Sequence, residues 1–325
     1  MSKIVPVLSC LTVCGALFCG QVQAAEQPYP TRPIRVIIPT TPGGGSDQIV
    51  RSLGQKFTAA WGQQVVVDHR PGAGMTIGID IGAKASPDGH TLVMVNPSHA
   101  INATLYTKLP YDPVRDLTPI TVLVTQSYGV VVPNSLPVKT VKDMIALAKA
   151  KPREINFASS GNGSASHLAG EMFVHMAGVE MTHIPYKGTG TVMPDLIAGR
   201  VSFYINPMLA VINQVQAKQI RLIAVTSLKR VNSLPDVPTV AESGVPGYEA
   251  TSWYMMLTPG KTPAAIVNQL NAEIVKALTA DDMREMMARA GVEPLGNTPR
   301  EAMEFLKVEI AKWGKVIRMA KVKID

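Results

Sequence analysis

The feature that most constrains this chain is a strand–glycine loop–helix unit near its start. The apolar run Ile34–Ile38 precedes the loop Pro39–Asp47, and helical spacing of apolar residues begins at Ile49. Three consecutive glycines leave the loop backbone bare, at the point where the unpaired N–H groups of a helix start point outward. Such a loop is typical of an anion-binding site. We expect the rest of the chain to build a cleft around it.

The same unit recurs in the middle of the chain. The strand-like run Ile155–Ala158 leads into the loop Ser159–Ser164, and a helix is predicted from about Ser166. This second loop is rich in hydroxyl groups, which can donate hydrogen bonds to a carboxylate alongside backbone N–H groups. Two such loops that face each other make a stronger anion site than either alone. We therefore predict that they form the two sides of one cleft.

Strand-like and helical segments alternate along the whole chain after residue 30. This alternation predicts an α/β fold of mixed sheets flanked by helices. Two α/β series, each with its own glycine loop, predict two lobes with the ligand cleft between them. The predicted lobe 1 comprises residues 25–126 and 227–325, and the predicted lobe 2 comprises residues 127–226. The chain crossings between the lobes would form a hinge.

Two separate strands are predicted around the first chain crossing, at Ile120–Val124 and Gly129–Val132. Asn96 and Ser98 follow another predicted strand, Thr91–Val95, and no helix is predicted directly after it.

Residues 1–24 have the pattern of an export signal. Lys3 gives a weakly positive start, Ile4–Gly20 is apolar and uncharged, and Val22-Gln23-Ala24 has the small-residue pattern that signal peptidase recognises. The apolar run is short and wrongly flanked for a membrane span. An uncleaved anchor and a lipoprotein signal are the alternatives. We expect cleavage after about Ala24 and a soluble exported protein.

Cysteine usage and charge exclude several classes of function. All 3 cysteines lie in the predicted export signal, so the mature chain would have no disulfide, thiol nucleophile or thiolate metal site. The formal net charge is +7, but the basic residues are dispersed and only 5% of residues are aromatic. Nucleic-acid binding is therefore disfavoured. A mild positive field suits acidic small molecules.

Catalytic and metal signatures are weak. The first loop lacks the lysine-serine or lysine-threonine of a phosphate loop, and G-x-S-x-G is absent. His167, Glu171 and His175 could share a helix face, but they lack a usual metal-binding pattern. We predict no enzyme activity, no metal and no cofactor. An exported hydrolase that uses Ser160 or Ser164 with His167 stays as an alternative.

Several motifs, in this order and spacing, resemble one known family over essentially the whole mature chain. They are Tyr29-Pro30-Thr31-Arg32-Pro33-Ile34, Pro42-Gly43-Gly44-Gly45-Ser46-Asp47, Gly72-Ala73-Gly74, Pro87-Asp88-Gly89, Leu109-Pro110-Tyr111-Asp112-Pro113, His167-Leu168-Ala169, Pro185-Tyr186-Lys187-Gly188, Leu234-Pro235-Asp236-Val237-Pro238-Thr239 and Pro246-Gly247-Tyr248. Together they resemble the substrate-binding proteins of tripartite tricarboxylate transporters, the Bug or TctC family.

This resemblance implies a periplasmic, two-lobed binding protein of the type II class that closes on its ligand. The implied ligand is a small organic acid: a di- or tricarboxylate, an aromatic acid or an acidic amino acid. The implied partners are integral-membrane permease subunits, and we expect a monomer. A sensing role, in which the liganded protein engages a two-component receptor, is the alternative. Thr40 and Met75 depart from the usual family residues, so a relative's substrate cannot be transferred.

The resemblance also implies which residues bind the ligand. In the first loop and beside it they are Thr41, Gly43, Gly44, Gly45, Ser46, Asp47 and Gly74. In the second loop they are Ser160, Gly161, Ser164 and His167. Asn96, Ser98 and Asn206 are predicted as pocket walls because they follow strands. For Asp47 two roles stay open: contact with ligand or water, or the start of the helix, where Arg51 is an ordinary i, i+4 partner.

Overall fold

The computed structural model describes residues 1–2 and 29–320. The predicted export signal, residues 1–24, lies outside the described residues apart from its first two. Within the described range, no helix combines the length and the apolar character that a membrane crossing requires.

The described chain is a mixed α/β structure in which strands and helices alternate, as predicted. The helices are α1 (Gly45–Trp61), α2 (Thr76–Ala83), α3 (Pro97–Leu105), α4 (Val141–Ala150), α5 (Ala165–Ala177), α6 (Thr189–Ile197), α7 (Met208–Gln216), α8 (Ala264–Leu278), α9 (Asp281–Arg289) and α10 (Pro299–Ala320). The strands are β1 (Ile34–Ile38), β2 (Val65–His69), β3 (Thr91–Val95), β4 (Leu117–Pro133), β5 (Asn156–Ser159), β6 (Thr182–Pro185), β7 (Phe203–Pro207), β8 (Ile220–Val225), β9 (Thr251–Pro259) and β10 (Glu293–Pro294).

The strands form two regions that meet at β4. In the first region β2, β1 and β3 run parallel, and β9 pairs antiparallel with both β3 and β4. In the second region β6, β5 and β7 run parallel, while β7 and β8 pair antiparallel with β4. We call the elements around the first region the first half of the molecule and those around the second region the second half.

Strand β4 corrects the prediction of two separate strands at Ile120–Val124 and Gly129–Val132. It is one strand of 17 residues. Its pairing with β9 ends at Ser127, and its pairing with β7 begins at Tyr128. The strand continues through the polar residues between the two predicted strands because Ser127 and Gln126 Oε1 form hydrogen bonds with the second half. Ser127 Oγ, for example, accepts a hydrogen bond from the backbone N–H of Thr226 at 2.9 Å.

Helix α3 is an element that the sequence pattern did not predict. Its start is fixed locally, because the side chain of Asn96 accepts a hydrogen bond from the Ser98 N–H at 2.9 Å and Pro97 occupies the first helical position. In α1, by contrast, the predicted apolar spacing matches the buried face Ile49, Val50, Leu53 and Phe57.

The core lies on both faces of the sheet. Successive residues of β3 belong to different buried clusters, with Val93 and Val95 in one and Leu92 and Met94 in the other. Since successive side chains of a strand point to opposite faces, each face carries its own layer of packed helices.

The connections at one edge of the sheet position the functional site. Strands β1, β3, β5, β6 and β7 are each followed by a helix after a short connection. In each half the strands of this set run parallel, so their carboxyl ends lie at the same edge. That edge is where ligands bind in open α/β sheets.

Candidate functional site

Five helices begin around one buried polar space, which we call the inner chamber. Gly45 and Ser46 of α1, Ala165 and Ser166 of α5, and Thr189 of α6 line it, as do the N-cap residues Asn96 of α3 and Pro207 of α7. The first N–H groups of a helix have no acceptor within it, and the aligned peptide dipoles place partial positive charge there. The inner chamber is therefore suited to an anion.

The side chains of the inner chamber are uncharged. Among the described residues, no Asp, Glu, Lys or Arg lines it, and hydroxyl groups predominate. Thr40 Oγ1 lies 3.3 Å from Ser46 Oγ, and Ser160 Oγ lies 3.0 Å from Ser166 Oγ. Burial raises the pKa of Tyr254, so this phenol stays a neutral hydrogen-bond donor. The chamber thus offers neutral donors, and no buried side-chain cation needs desolvation.

Asn206 supplies a donor that its neighbours do not satisfy. Its Oδ1 accepts a hydrogen bond from Thr189 Oγ1 at 3.3 Å, whereas its Nδ2 is buried without a partner in the described structure. Burying an amide N–H₂ group without a hydrogen-bond acceptor costs free energy, which an acceptor from a ligand would recover. A carboxylate oxygen in the inner chamber is such an acceptor.

The first glycine loop is held from behind by Asp47. Its Oδ2 accepts a hydrogen bond from the Gly43 N–H at 3.2 Å, and its Oδ1 accepts from Arg51 Nε at 3.0 Å. His69 Nε2 lies 3.0 Å from the same Oδ1. Burial alone would raise the pKa of Asp47, but hydrogen bonds from Arg51, Gly43 and His69 outweigh it and lower the pKa below its usual value. Asp47 is therefore an ionised brace of the loop.

The second loop has a comparable brace made of two histidines. The Gly163 N–H donates to His167 Nδ1 at 3.1 Å, and Ser159 Oγ lies 2.6 Å from His183 Nε2. The two rings stack with centroids 3.9 Å apart. Burial and the neighbouring His167 lower the pKa of His183 to about 4, so this ring is neutral near pH 7. The loop Ser159–Ser164 therefore rests on two stacked imidazole rings, of which that of His183 is neutral.

A larger outer cleft, with a volume of about 790 Å³, leads to the inner chamber. The two spaces share Thr40, Asn96, Ser98 and Ser160, so they form one continuous site. Residues from both halves line the outer cleft, the first half contributing the segment 71–75 and the second half the segment 186–188.

The two halves touch directly across this site. The backbone N–H of Ala165 donates to Ser98 Oγ at 3.2 Å. A Cβ atom added to Gly190 would lie 2.2 Å from the carbonyl oxygen of Pro42, so only a glycine fits against the first loop there. The structure therefore has the loops of the two halves in contact.

The predicted site residues divide into two groups by their position. The structure brings together ten of them around the outer cleft or the inner chamber: Gly44, Gly45, Ser46, Gly74, Asn96, Ser98, Ser160, Gly161, Ser164 and Asn206. Four others, Thr41, Gly43, Asp47 and His167, do not line either space. Gly43, Asp47 and His167 take part in the loop braces described above.

Other cleft residues were missed by the sequence reasoning. They include Tyr106, Lys108, Tyr186 and Lys187. Tyr186 and Lys187 belong to a motif that carried the family resemblance, which was the only signal that could have found them. Tyr106 Oη donates to the carbonyl of Ala73 at 2.9 Å, and so closes one wall of the cleft.

The comparison with protein families decides the identity of the chain. The profile of the tripartite tricarboxylate transporter family receptor, TctC, matches residues 49–322. The chain belongs to the TctC family. A curated relative, BugT from Bordetella pertussis (strain Tohama I), is 35% identical over 298 residues, which is 91% of this chain and 91% of BugT. The family resemblance read from the motifs is thereby confirmed.

Solved structures of similar proteins confirm the fold class. The structure of R. palustris Rpa4515 with adipate is 37% identical, covers 91% of this chain and 99% of its own, and gives a TM-score of 0.87. The structure of the periplasmic binding protein BugD is 33% identical, covers 91% of this chain and 99% of BugD, and gives a TM-score of 0.87. The structure of MatC (Rpa3494) from Rhodopseudomonas palustris with bound malate is 27% identical, covers 89% of this chain and 100% of MatC, and gives a TM-score of 0.84.

The comparisons place this TctC-family protein among solute-binding proteins and not enzymes. The hydrolase alternative required His167 to pair with the hydroxyl of Ser160 or Ser164. In the described structure the His167 ring instead faces the Gly163 N–H and Glu171, with its Nε2 3.5 Å from Glu171 Oε1. Ser164 Oγ accepts a hydrogen bond from the backbone N–H of His167, as a helix N-cap does.

Proposed function

We propose that this protein captures a small carboxylate in the inner chamber and delivers it to a tripartite tricarboxylate-type membrane transporter. The observation that carries this proposal is the meeting of five helix N-termini around a chamber without charged side chains. Each helix start favours an anion by about 0.3–1 kcal/mol, and by more when it is partly buried. The unpartnered Nδ2 of Asn206 adds a specific donor.

The ligands of the solved relatives support a carboxylate over other anions. Rpa4515 is described with adipate and MatC with malate, and both are dicarboxylates. Phosphate is a poorer candidate because the first loop lacks the cationic side chain that usually accompanies a phosphoryl group.

Capture by closure of two lobes is part of the proposal. The lobe boundaries that we propose are residues 25–126 and 227–325 for lobe 1, and residues 127–226 for lobe 2. They are supported by the change of pairing partner between Ser127 and Tyr128 in β4. Ser127 Oγ also accepts hydrogen bonds from the N–H groups of Thr226 and Ser227, so the two crossings are tied together where a hinge would bend.

The cellular setting is proposed from the family and from the sequence. Proteins of this family are periplasmic, as BugD is. We propose that this chain is exported to the same compartment, that residues 1–24 are removed, and that the mature protein meets the permease subunits as a monomer. Mass spectrometry of the protein recovered from a periplasmic extract tests the cleavage after about Ala24.

The direct test is a thermal-shift titration of the mature protein with di- and tricarboxylates, aromatic acids and acidic amino acids. We expect at least one carboxylate to raise the melting temperature in a concentration-dependent way, since a ligand that binds only the folded state stabilises it. No shift with any carboxylate at millimolar concentration refutes the proposed function.

A substitution at Gly44 tests the site itself. A Cβ atom at Gly44 would come no closer than 3.8 Å to any other residue's atoms outside its chain neighbours, so Gly44→Val folds but places a branched side chain at the start of α1. We expect the carboxylate-induced thermal shift to disappear while the melting temperature without ligand stays close to wild type. Gly161→Val is also expected to lose binding. Because Gly161 has a φ of +133°, a side chain there strains the backbone and also lowers the melting temperature without ligand.

Delivery to a permease needs a transport assay. Cells that carry this protein and its permease should take up a radiolabelled form of the stabilising carboxylate, and cells with the Gly44→Val variant should not. Uptake that is the same in the absence of the protein contradicts the transport role and leaves the binding role intact.

A further inference from the structure

Two lysines stand at the mouth of the outer cleft. Lys108 follows α3 in the first half, and Lys187 lies between β6 and α6 in the second half. Both line the outer cleft and both are exposed. They are also the only charged residues among the described residues that line it, since no carboxylate does. The mouth of the cleft is therefore cationic, whereas the inner chamber is uncharged.

Neither lysine is neutralised by a neighbour. Within residues 29–320, Lys108 and Lys187 take part in no ion pair, unlike Lys56 with Asp282 or Lys84 with Asp80. Other exposed lysines also lack an ion pair, but these two line the same cleft. A negative charge that arrives with a ligand in this cleft is attracted by both ammonium groups.

Part of the outer cleft lining is apolar. Pro39, Met75 and Leu105 are buried side chains that line the outer cleft, and Pro71 and Ala73 line its more exposed part. A hydrocarbon segment that covers these residues gains the hydrophobic contribution of the buried area. The site thus offers neutral donors in the inner chamber, and both apolar surface and two cations in the outer cleft.

We propose that Lys108 and Lys187 form a second anion site at the cleft mouth, which selects a dianion with its two charges separated by a hydrocarbon spacer. This inference rests on the proposed function, because the first carboxylate of that ligand occupies the inner chamber. The second carboxylate lies between the lysines, one from each half. Since both lysines contribute only when the halves are together, a dianion favours the closed form more than a monoanion does.

The exposure of the two lysines limits how much they add to the affinity for a dicarboxylate. Ion pairs between exposed groups contribute little each, whereas two ammonium groups that flank one carboxylate at a partly enclosed mouth add up. We expect a linear dicarboxylate to bind about tenfold more tightly than its monomethyl ester. Each of the single variants Lys108→Gln and Lys187→Gln should remove part of this preference, and the double variant should remove nearly all of it.

Isothermal titration calorimetry with matched probes tests the proposal. The probes are succinate, glutarate, adipate and pimelate, each beside its monomethyl ester. The proteins are wild type, the two single variants, the double variant and the control Lys142→Gln. Lys142 is an exposed lysine of α4 that neither lines the cleft nor forms an ion pair in the described structure.

The expected result is a diacid preference in wild type and in Lys142→Gln that vanishes in the double variant, with affinity for the monoesters unchanged throughout. The preference of wild type should also fall as salt concentration rises, because exposed charges are screened. Equal affinity of diacid and monoester in wild type, or an unchanged preference in the double variant, overturns the second anion site. Failure of every probe to bind wild type also overturns the second anion site when another carboxylate stabilises the protein in the thermal-shift titration. When no carboxylate stabilises it, the proposed function itself is refuted.

Discussion

The contact between Gly190 and Pro42 allows closure of the two halves to be tested without touching a ligand-binding group. A Cβ atom at Gly190 would lie 2.2 Å from the carbonyl oxygen of Pro42, and ordinary contacts begin at 3.4 Å. The first loop and the start of α6 would therefore have to separate by about 1.2 Å in Gly190→Ala. A hydrogen bond of ordinary length does not survive a shift of that size.

The same substitution should not destabilise the open, ligand-free form that closure of the two lobes implies, because the first loop and α6 are apart in that form. Gly190 lies in the first turn of α6 and does not have a positive φ, and alanine is favoured over glycine in helices by up to about 1 kcal/mol. If the ligand loses one or two hydrogen bonds to its carboxylate, at about 1.5–3 kcal/mol each, its binding weakens by about 3 kcal/mol. That change corresponds to roughly a hundredfold increase in Kd.

Two measurements separate the effect of Gly190→Ala on ligand binding from its effect on stability. Calorimetric titration with a stabilising carboxylate gives Kd, and urea unfolding without ligand gives the free energy of unfolding. Gly314→Ala is the matched control, because its Cβ would meet only flexible side chains, the nearest being Thr104 Oγ1 at 3.0 Å within the first half. We expect Kd to rise in Gly190→Ala and to stay unchanged in Gly314→Ala. An unchanged Kd in Gly190→Ala refutes the idea that the liganded form brings these loops together.

Three further predictions concern single buried groups. Asn206→Asp replaces the unpartnered N–H₂ by a charged oxygen in the inner chamber, so calorimetry should show a loss of carboxylate binding of about a hundredfold or more. Desolvation lowers the pKa of His99 from 6.5 to about 4. The unfolded chain therefore binds this proton more readily, and the free energy of unfolding in urea should fall by up to about 3 kcal/mol as pH drops from 6.5 to 4. His99→Gln should abolish that share of the pH dependence. Glu309 Oε2 accepts hydrogen bonds from Trp253 Nε1 at 2.7 Å and Trp313 Nε1 at 3.0 Å, so Glu309→Leu should lower the free energy of unfolding by about 2–4 kcal/mol, with carboxylate affinity unchanged.

The fold class and the two strand–loop–helix units could be predicted because their signals are local. The apolar run of β1, the glycines after it and the buried face of α1 follow one another within one short stretch, and each obeys its own short-range rule. Local rules failed at β4, where polar residues interrupt the apolar pattern. One of them, Ser127, is hydrogen-bonded to Thr226, 99 positions away. No window along the sequence contains that information.

The site residues that could be predicted lie in the loops that start helices or directly after strands. Gly44 and Ser160 could be placed because a loop that starts a helix positions its own N–H groups, and Asn206 because it lies at the carboxyl end of a strand. Lys108 and Lys187 lie on irregular segments of different halves, and only the tertiary fold brings them to one cleft. For Asp47 the local context left two roles open. Its contact with His69, which lies on strand β2, makes it part of the loop brace.

The inner chamber and the mouth of the outer cleft contribute differently to the choice of ligand. The inner chamber draws its positive potential from helix starts, and a substitution elsewhere on the surface does not remove a backbone N–H group. Carboxylate capture should therefore persist when the mouth of the cleft changes, whereas the identity of the bound acid should change with it. Lys108 and Lys187 line the outer cleft and not the inner chamber, so the substitutions that remove the diacid preference should leave a functional binder of monocarboxylates. Selectivity and capture would then be separate properties of one continuous cleft.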